Sequence, residues 1–278
     1  MVTALYFALA ALTVFYGAIF LRSSAGARPS LIHSLTGFVT NFLDTLGIGS
    51  FATTTAIFKF GSMVPDRLIP GTLNAGHTLP TVFQAFIYIT AIEVDARTLV
   101  LLIAGAVTGA WFGAAAVAGL SLRTVRLCVG GALLIAAAAL LMRQFSLFPP
   151  GGNALGLEGW KLLAAVAGNV VFAAVSTLGI GFYAPCMTMV SLMGMNPAAA
   201  FPIMMGSSAF LMPVASAQFV TRKAYSAPVA LGLALGGLAG VPLAAFVVKS
   251  LPLDGLRWLV IIAVLYAAVL TLRSGEPK

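Results

Sequence analysis

Two short stretches of this chain place paired glycines among hydroxyl side chains. The first reads Asp44-Thr45-Leu46-Gly47-Ile48-Gly49-Ser50, and the second reads Ser176-Thr177-Leu178-Gly179-Ile180-Gly181. Glycine admits backbone conformations closed to other residues and lets a ligand approach the main chain. If each pair breaks a helix, the segment after the break presents its N-terminus there. Such an end carries unpaired N–H groups and a partial positive charge, which together suit an anion without needing Lys or Arg. Thr45, Ser50, Thr53, Thr54, Ser176 and Thr177 add hydroxyls around Gly47, Gly49, Gly179 and Gly181. A Gly-x-Gly can also serve close helix packing alone. Its occurrence twice, in the same setting, favours a binding site.

Asp44 is the carboxylate that the sequence places inside an apolar segment, where a charge is costly and functional by default. Its counterpart is Ser176. One reading makes Asp44 a proton- or cation-coupling group; the other makes it a cap that accepts from the turn at Gly47. Beside a bound anion it would need a proton, a paired cation or distance. Asn74, His77 and Thr78 fall at i, i+3 and i+4, one helix face, with Gln84 further along. The counterpart segment carries Gly206, Ser207, Ser208 and Gln218. That face either lines a cavity or bonds between helices. His33 lies near a helix end and reads as structural. Lys59 is expected to snorkel to the surface, or to attract anions there. No metal cluster, catalytic acid–base pair or cofactor motif is present. Cys128 and Cys186 sit far apart in apolar context, as packing residues.

The elements that must position these residues are legible from composition. The chain has 278 residues, 60% hydrophobic and 8% charged, against roughly 25% charged in soluble domains. Apolar runs of spanning length recur throughout, so lipid is the solvent. Runs such as Val129–Met142 do not alternate, which excludes a β-barrel and leaves an all-α polytopic membrane protein. The net charge of +8 comes from scattered loop residues and implies topology, not nucleic acid. Val2–Leu21 is followed, not preceded, by Arg22, so it reads as a transmembrane helix (residues 1–21) and not as a leader.

The glycine stretches belong to a longer duplication. At an offset of 132, Pro65 pairs with Pro197 and Pro70 with Pro202; at 131, Gly105 pairs with Gly236, Gly109 with Gly240 and Arg126 with Arg257. The repeats span 31–142 and 162–273. The first reads as segments Leu31–Leu46, Phe51–Phe60, Leu68–Thr90, Thr98–Gly119 and Thr124–Met142. The second reads as Leu162–Leu178, Tyr183–Met195, Ala199–Val220, Pro228–Val248 and Leu256–Leu272. The first two segments of each repeat are shorter than the ~20 residues a span needs, so each pair is expected to form a broken or re-entrant hairpin. The Gly105/Gly109 and Gly236/Gly240 spacings read as packing faces.

A hairpin followed by three crossings inverts the second repeat. With the Arg22/Arg28 loop in the cytoplasm, that side also holds Lys59, Arg67, Arg123, Arg126, Arg222, Lys223, Arg273 and Lys278. The outer side holds Arg97, Arg143, Lys161, Lys249 and Arg257. The excess of Lys and Arg inside supports this orientation, with the N-terminus outside and the C-terminus cytoplasmic. Inverted repeats with broken helices are transporter architecture, with the substrate near the midplane where the breaks meet.

The two Leu-Gly-Ile-Gly hairpins, the turns at Val64-Pro65 and Asn196-Pro197, and the segment Ile69-Pro70-Gly71-Thr72-Leu73-Asn74 resemble the TauE/SafE sulfite exporter family, which includes a toluenesulfonate uptake permease group. The resemblance implies an inner-membrane secondary transporter of sulfite, a sulfonate or a related organosulfur anion. In this chain Ser50 and Phe51 stand where members of that family carry further glycines, and Phe182 and Tyr183 make the second half more aromatic. The expected partners are a small anionic solute and the lipid bilayer, with no nucleic acid and with room for a homodimer. The alternative is a cation-coupled carrier or channel for another small solute, centred on Asp44.

Overall fold

The computed structural model describes residues 2–147, 149–179, 181–247 and 253–273. Ile180, Lys249, Leu251, Glu276, Lys278 and the end of the segment read as Pro228–Val248 lie outside the described residues, as do the side chains of Asp254 and Arg257. Among the described residues the chain is all-α, without strands. The helices are α1 (Val2–Ser23), α2 (Leu31–Thr45), α3 (Ser50–Gly61), α4 (Ile69–Ala91), α5 (Ala96–Val117), α6 (Leu122–Gln144), α7 (Gly159–Ser176), α8 (Tyr183–Leu192), α9 (Ala200–Thr221), α10 (Ala227–Pro242) and α11 (Leu253–Arg273). Short 3-10 turns at Asp66–Leu68 and Pro197–Ala199 lead into α4 and α9. A π-helical turn, Leu243–Val247, extends α10.

Hydrocarbon offers no hydrogen bonds, so most polar groups in these helices bond within the protein, though Asn74 Oδ1, Gln144 Oε1 and Asn169 Oδ1 are buried without a hydrogen-bond partner. Thr36, Thr40 and Thr55 each donate to the carbonyl four residues back. Helix ends near the surface carry side-chain caps. Ser30 and His33 bond reciprocally at the start of α2, and Asp95 accepts from Thr98 N at 2.7 Å at the start of α5. The bonds from Thr98 hold the Asp95 carboxyl below its ordinary range.

Among the described residues six helices are long and apolar enough to cross a membrane: α1, α5, α6, α7, α9 with its preceding turn, and α10 into its π turn. The helix α7 was expected as a short half-helix. It begins three residues earlier, at Gly159, and reaches 18 residues, enough to span by length and composition. The 23-residue α4 is absent from the six for the opposite reason: it carries Thr72, Asn74, His77, Thr78, Thr81 and Gln84, all buried. It can be this polar because α9 and α10 shield it from lipid. Large apolar side chains are left on the outside, among them Phe7, Phe15, Leu31, Trp111, Phe112 and Trp160.

The helices exchange partners between halves. α5 packs on α7, and α10 packs on α2, while α4 and α9 pack on each other. Gly109 lies against the carbonyl of Val170, and Gly105 against that of Val166. Their counterparts Gly240 and Gly236 lie against the carbonyls of Phe38 and Ser34, the residues 132 positions before Val170 and Val166. At each of these four glycines a Cβ would sit inside the van der Waals distance of a facing backbone oxygen. These glycines do act as packing faces, bringing helix axes close enough for backbone contact.

One expectation about Lys59 is corrected. Its ammonium does not stand free at the surface: it donates to Asp66 at 2.7 Å, and Arg126 donates to the other carboxylate oxygen at 2.7 Å. The reason is reach. The turn at Asp66–Leu68 folds under the end of α3 and meets the start of α6. Burial alone would raise the Asp66 carboxyl, but the hydrogen bonds and charges of Lys59 and Arg126 outweigh it and hold it below its ordinary range.

Candidate functional site

The first break is a tight left-handed reversal. α2 ends as Gly47 N donates to Asp44 O at 2.8 Å and Ile48 N to Leu43 O at 3.0 Å. Gly47 adopts φ +83°, a conformation β-carbons disfavour. α3 then starts at Ser50. The second break repeats this closure, with Gly179 N donating to Ser176 O at 2.9 Å and Gly179 at φ +98°. α8 starts at Tyr183. Pro185 falls in its first turn, where the missing N–H costs no helix bond.

Both breaks open into one cavity of about 220 Å³. Its polar lining comes from Asp44, Gly47, Gly49 and Ser50 on the first hairpin, Ser176, Gly181 and Tyr183 on the second, and Thr81, Arg143 and Ser208 on α4, α6 and α9. The remaining wall is apolar and soft, built from Phe51, Phe182, Phe201, Met187, Met204, Met205, Met212, Leu140 and Leu211. Pro80 inside α4 and Pro213 inside α9 adjoin the lining residues Thr81 and Met212. Each proline removes one helix hydrogen bond at the cavity wall.

Of the residues singled out from sequence, the cavity brings together Asp44, Gly47, Gly49, Ser50, Ser176, Gly181 and Ser208. The others support it from behind. Thr45 accepts from Gln84 Nε2 at 2.9 Å and donates to Asn41 O. Thr53 donates back to Gly49 O and Ser50 O. Thr54 meets His77 Nε2 at 2.9 Å, while His77 Nδ1 meets Asn41 Oδ1 at 3.0 Å. Both ring nitrogens are thus satisfied between α2, α3 and α4. Asn74 donates to Pro70 O at 2.8 Å and reaches Thr177 O at 3.4 Å, tying α4 to the second break. Thr78 bonds Ser216 of α9 at 2.9 Å. The Asn74–His77–Thr78 face therefore bonds between helices and does not line this cavity. Thr177 turns back to Ala174 O, Gly179 packs on Leu73, and Ser207 accepts from Asn169.

Asp44 is 1% exposed. Its Oδ1 accepts from Ser50 N, the first N–H of α3, at 2.7 Å. Its Oδ2 lies 3.3 Å from the Tyr183 hydroxyl, which also lies 3.3 Å from Gln84 Oε1. The cap reading of Asp44 is thus realised, though by Ser50 N and not by the Gly47 turn. At the second break Ser176 turns its hydroxyl to Ala173 O at 2.8 Å, and α8 has no side-chain cap.

Arg143, counted from the sequence as an outer loop charge, stands instead at the cavity and donates from Nη1 to the carbonyl of Gly47. At the end of an Ala-rich helix, 96 residues from Gly47, it carries no local motif that would separate it from a topology charge. Tyr183 was likewise noted for its aromatic bulk and not for its hydroxyl. Among the cavity-lining residues described, Arg143 is the one base and Asp44 the one acid. The cavity thus joins the start of α8, the Asp44-capped start of α3, a guanidinium and an apolar wall.

No protein-family model, curated protein or solved structure matches this chain.

Proposed function

We propose that the protein is a secondary transporter of the TauE/SafE type in the bacterial inner membrane, moving a small organosulfur anion by alternating access. The observation that carries this reading is the shared cavity: both glycine breaks and Arg143 open into it. The anionic group would lie against Arg143 and the first N–H groups of α8, and the organic body against Met204, Met205, Met212 and Phe201. That wall favours a sulfonate over sulfite within the range the resemblance suggests, since an all-oxygen anion leaves apolar surface unmatched.

The two repeats would be related by an inverted two-fold, with α2 to α6 answering α7 to α11. The exchanged packing supports this, because Gly105 and Gly109 meet on α7 what Gly236 and Gly240 meet on α2. A hairpin and three crossings per repeat would set the N-terminus outside and the C-terminus in the cytoplasm. Lys59, Asp66 and Arg126, all assigned to the cytoplasm by that scheme, are in contact. Rocking of one half against the other would expose the cavity alternately, with Pro80 and Pro213 as points of give. The site would act as a carrier, with neither catalytic centre nor cofactor.

The test is flux in proteoliposomes holding purified protein. An inward gradient of labelled benzenesulfonate should give saturable uptake that sulfite inhibits weakly. Absence of flux for benzenesulfonate, sulfite and thiosulfate from monodisperse protein would overturn the proposal.

A further inference from the structure

Asp44 occupies the place where symmetry would put the anion. Its carboxylate already holds the first N–H of α3, whereas the matching end of α8 has no side-chain cap. An anion in the cavity therefore meets a buried negative charge, and separate like charges in a low-dielectric site repel strongly. The groups facing Asp44 show how this is relieved. From α8 comes the Tyr183 hydroxyl at 3.3 Å; from α4 come Gln84, 3.3 Å beyond that hydroxyl, and Tyr88, which donates to Thr45 O at 2.7 Å; from α3 comes Ser50 N; from α6 comes Arg143 across the cavity. Tyr183 has one hydroxyl proton and two acceptors within reach. With Asp44 ionised, Tyr183 donates to Oδ2. With a proton on Oδ2, Asp44 donates to Tyr183 Oη, which turns its own proton to Gln84 Oε1. With Asp44 protonated all three side chains are paired, whereas with Asp44 ionised Gln84 Oε1 gives up the Tyr183 proton, so the cluster has a ready place for a proton on Oδ2. A plain helix cap needs no such second acceptor.

We propose that Asp44 is the coupling site of the carrier: one proton from the aqueous side binds Oδ2 as one anion enters the cavity, and the two cross together. This rests on the anion-transport reading above, and it names the coupling ion, the residue and the ratio. Charge balances, since the monoanion brings one negative charge and the proton cancels one on Asp44. Affinity for the anion is then expected to fall ~10-fold per pH unit above the range where Asp44 releases its proton.

The probe is benzenesulfonate, a strong-acid anion that carries no proton of its own. Detergent-purified protein is titrated calorimetrically in buffers of different ionisation enthalpy, and proteoliposomes loaded with a pH dye are given a benzenesulfonate gradient at clamped potential. The expected ratio is about one proton per anion in both. Asp44→Asn, shaped like the protonated acid, should lower the ratio to about zero, whatever anion flux remains. Benzenesulfonate that binds and crosses with no proton in the wild type overturns the coupling and leaves the carrier reading standing. Should Asp44→Asn fail to insert, the wild-type ratio decides alone. No binding and no flux in the wild type overturns both.

Discussion

At the first break Asp44 fills the end of α3 and Arg143 covers the Gly47 carbonyl, so the turn is held by side chains on both its donor and its acceptor side. At the second, Ser176 points back along its own helix and α8 begins without a side-chain cap. The turns are alike in sequence and in their left-handed glycines, yet one is closed by charged side chains and the other is not. The same glycine turn appears twice, and a single difference, acid at Asp44 for hydroxyl at Ser176, changes what closes it.

This comparison can be broken most sharply at the glycines. Gly47→Val meets both a positive φ and the Arg143 guanidinium, 2.8 Å from the new Cβ. Gly179→Val meets a comparable φ but only Leu73, at 3.4 Å. Strain of ~1–3 kcal/mol from φ alone applies to both, and at 1.36 kcal/mol per decade initial uptake should fall about 100-fold for Gly47→Val and about 10-fold for Gly179→Val. Equal losses would show that the two breaks are not differently built. Arg143→Gln should weaken benzenesulfonate binding ~10- to 100-fold, the range of a lost charged hydrogen bond, as read by calorimetry; Arg143→Lys should recover part of it.

Smaller effects test the asymmetry away from the cavity. Asp66→Asn leaves Lys59 and Arg126 without their shared carboxylate and should cost about 1–2 kcal/mol, a lowering of the melting temperature by a few degrees. Because the folded Asp66 carboxyl lies below its unfolded value, its contribution is present above about pH 4 and is lost as pH falls through the folded value. As pH is lowered below about 4, the wild-type melting temperature should therefore fall more than that of Asp66→Asn. Asp95→Ala should cost ~1 kcal/mol through its lost cap. Ser226→Ala, at the matching start of α10, should fall within ~0.5 kcal/mol, since that serine makes no side-chain cap bond.

How much of this was legible in the residues differs by kind. The helices and breaks were readable because both are local: apolar runs mark the one and Gly-x-Gly the other. With the π turn counted in α10, the helix bounds agree to within three residues, but the three that Gly159, Trp160 and Lys161 add to α7 are enough to lift it to spanning length. The packing role of Gly105, Gly109, Gly236 and Gly240 was readable for the same reason. The partners of Asp44 were not. Tyr183 is 139 residues away and Arg143 reaches Gly47 from another helix, and nothing in a linear pattern says which distant side chains converge. The Asn74–His77–Thr78 face was readable as a polar face, but whether it met a cavity or other helices depended on where α2 and α9 lay.

The exchange of partners between halves bears on how the protein is made. The glycine-lined seat of α2 is filled by α10, which leaves the ribosome some two hundred residues later. Until then the Ser34 and Phe38 carbonyls of α2 lack the close glycine contacts they have in the full structure. The packing of α2 is thus completed only by a helix of the second half, so the two halves are built as one interlocked unit.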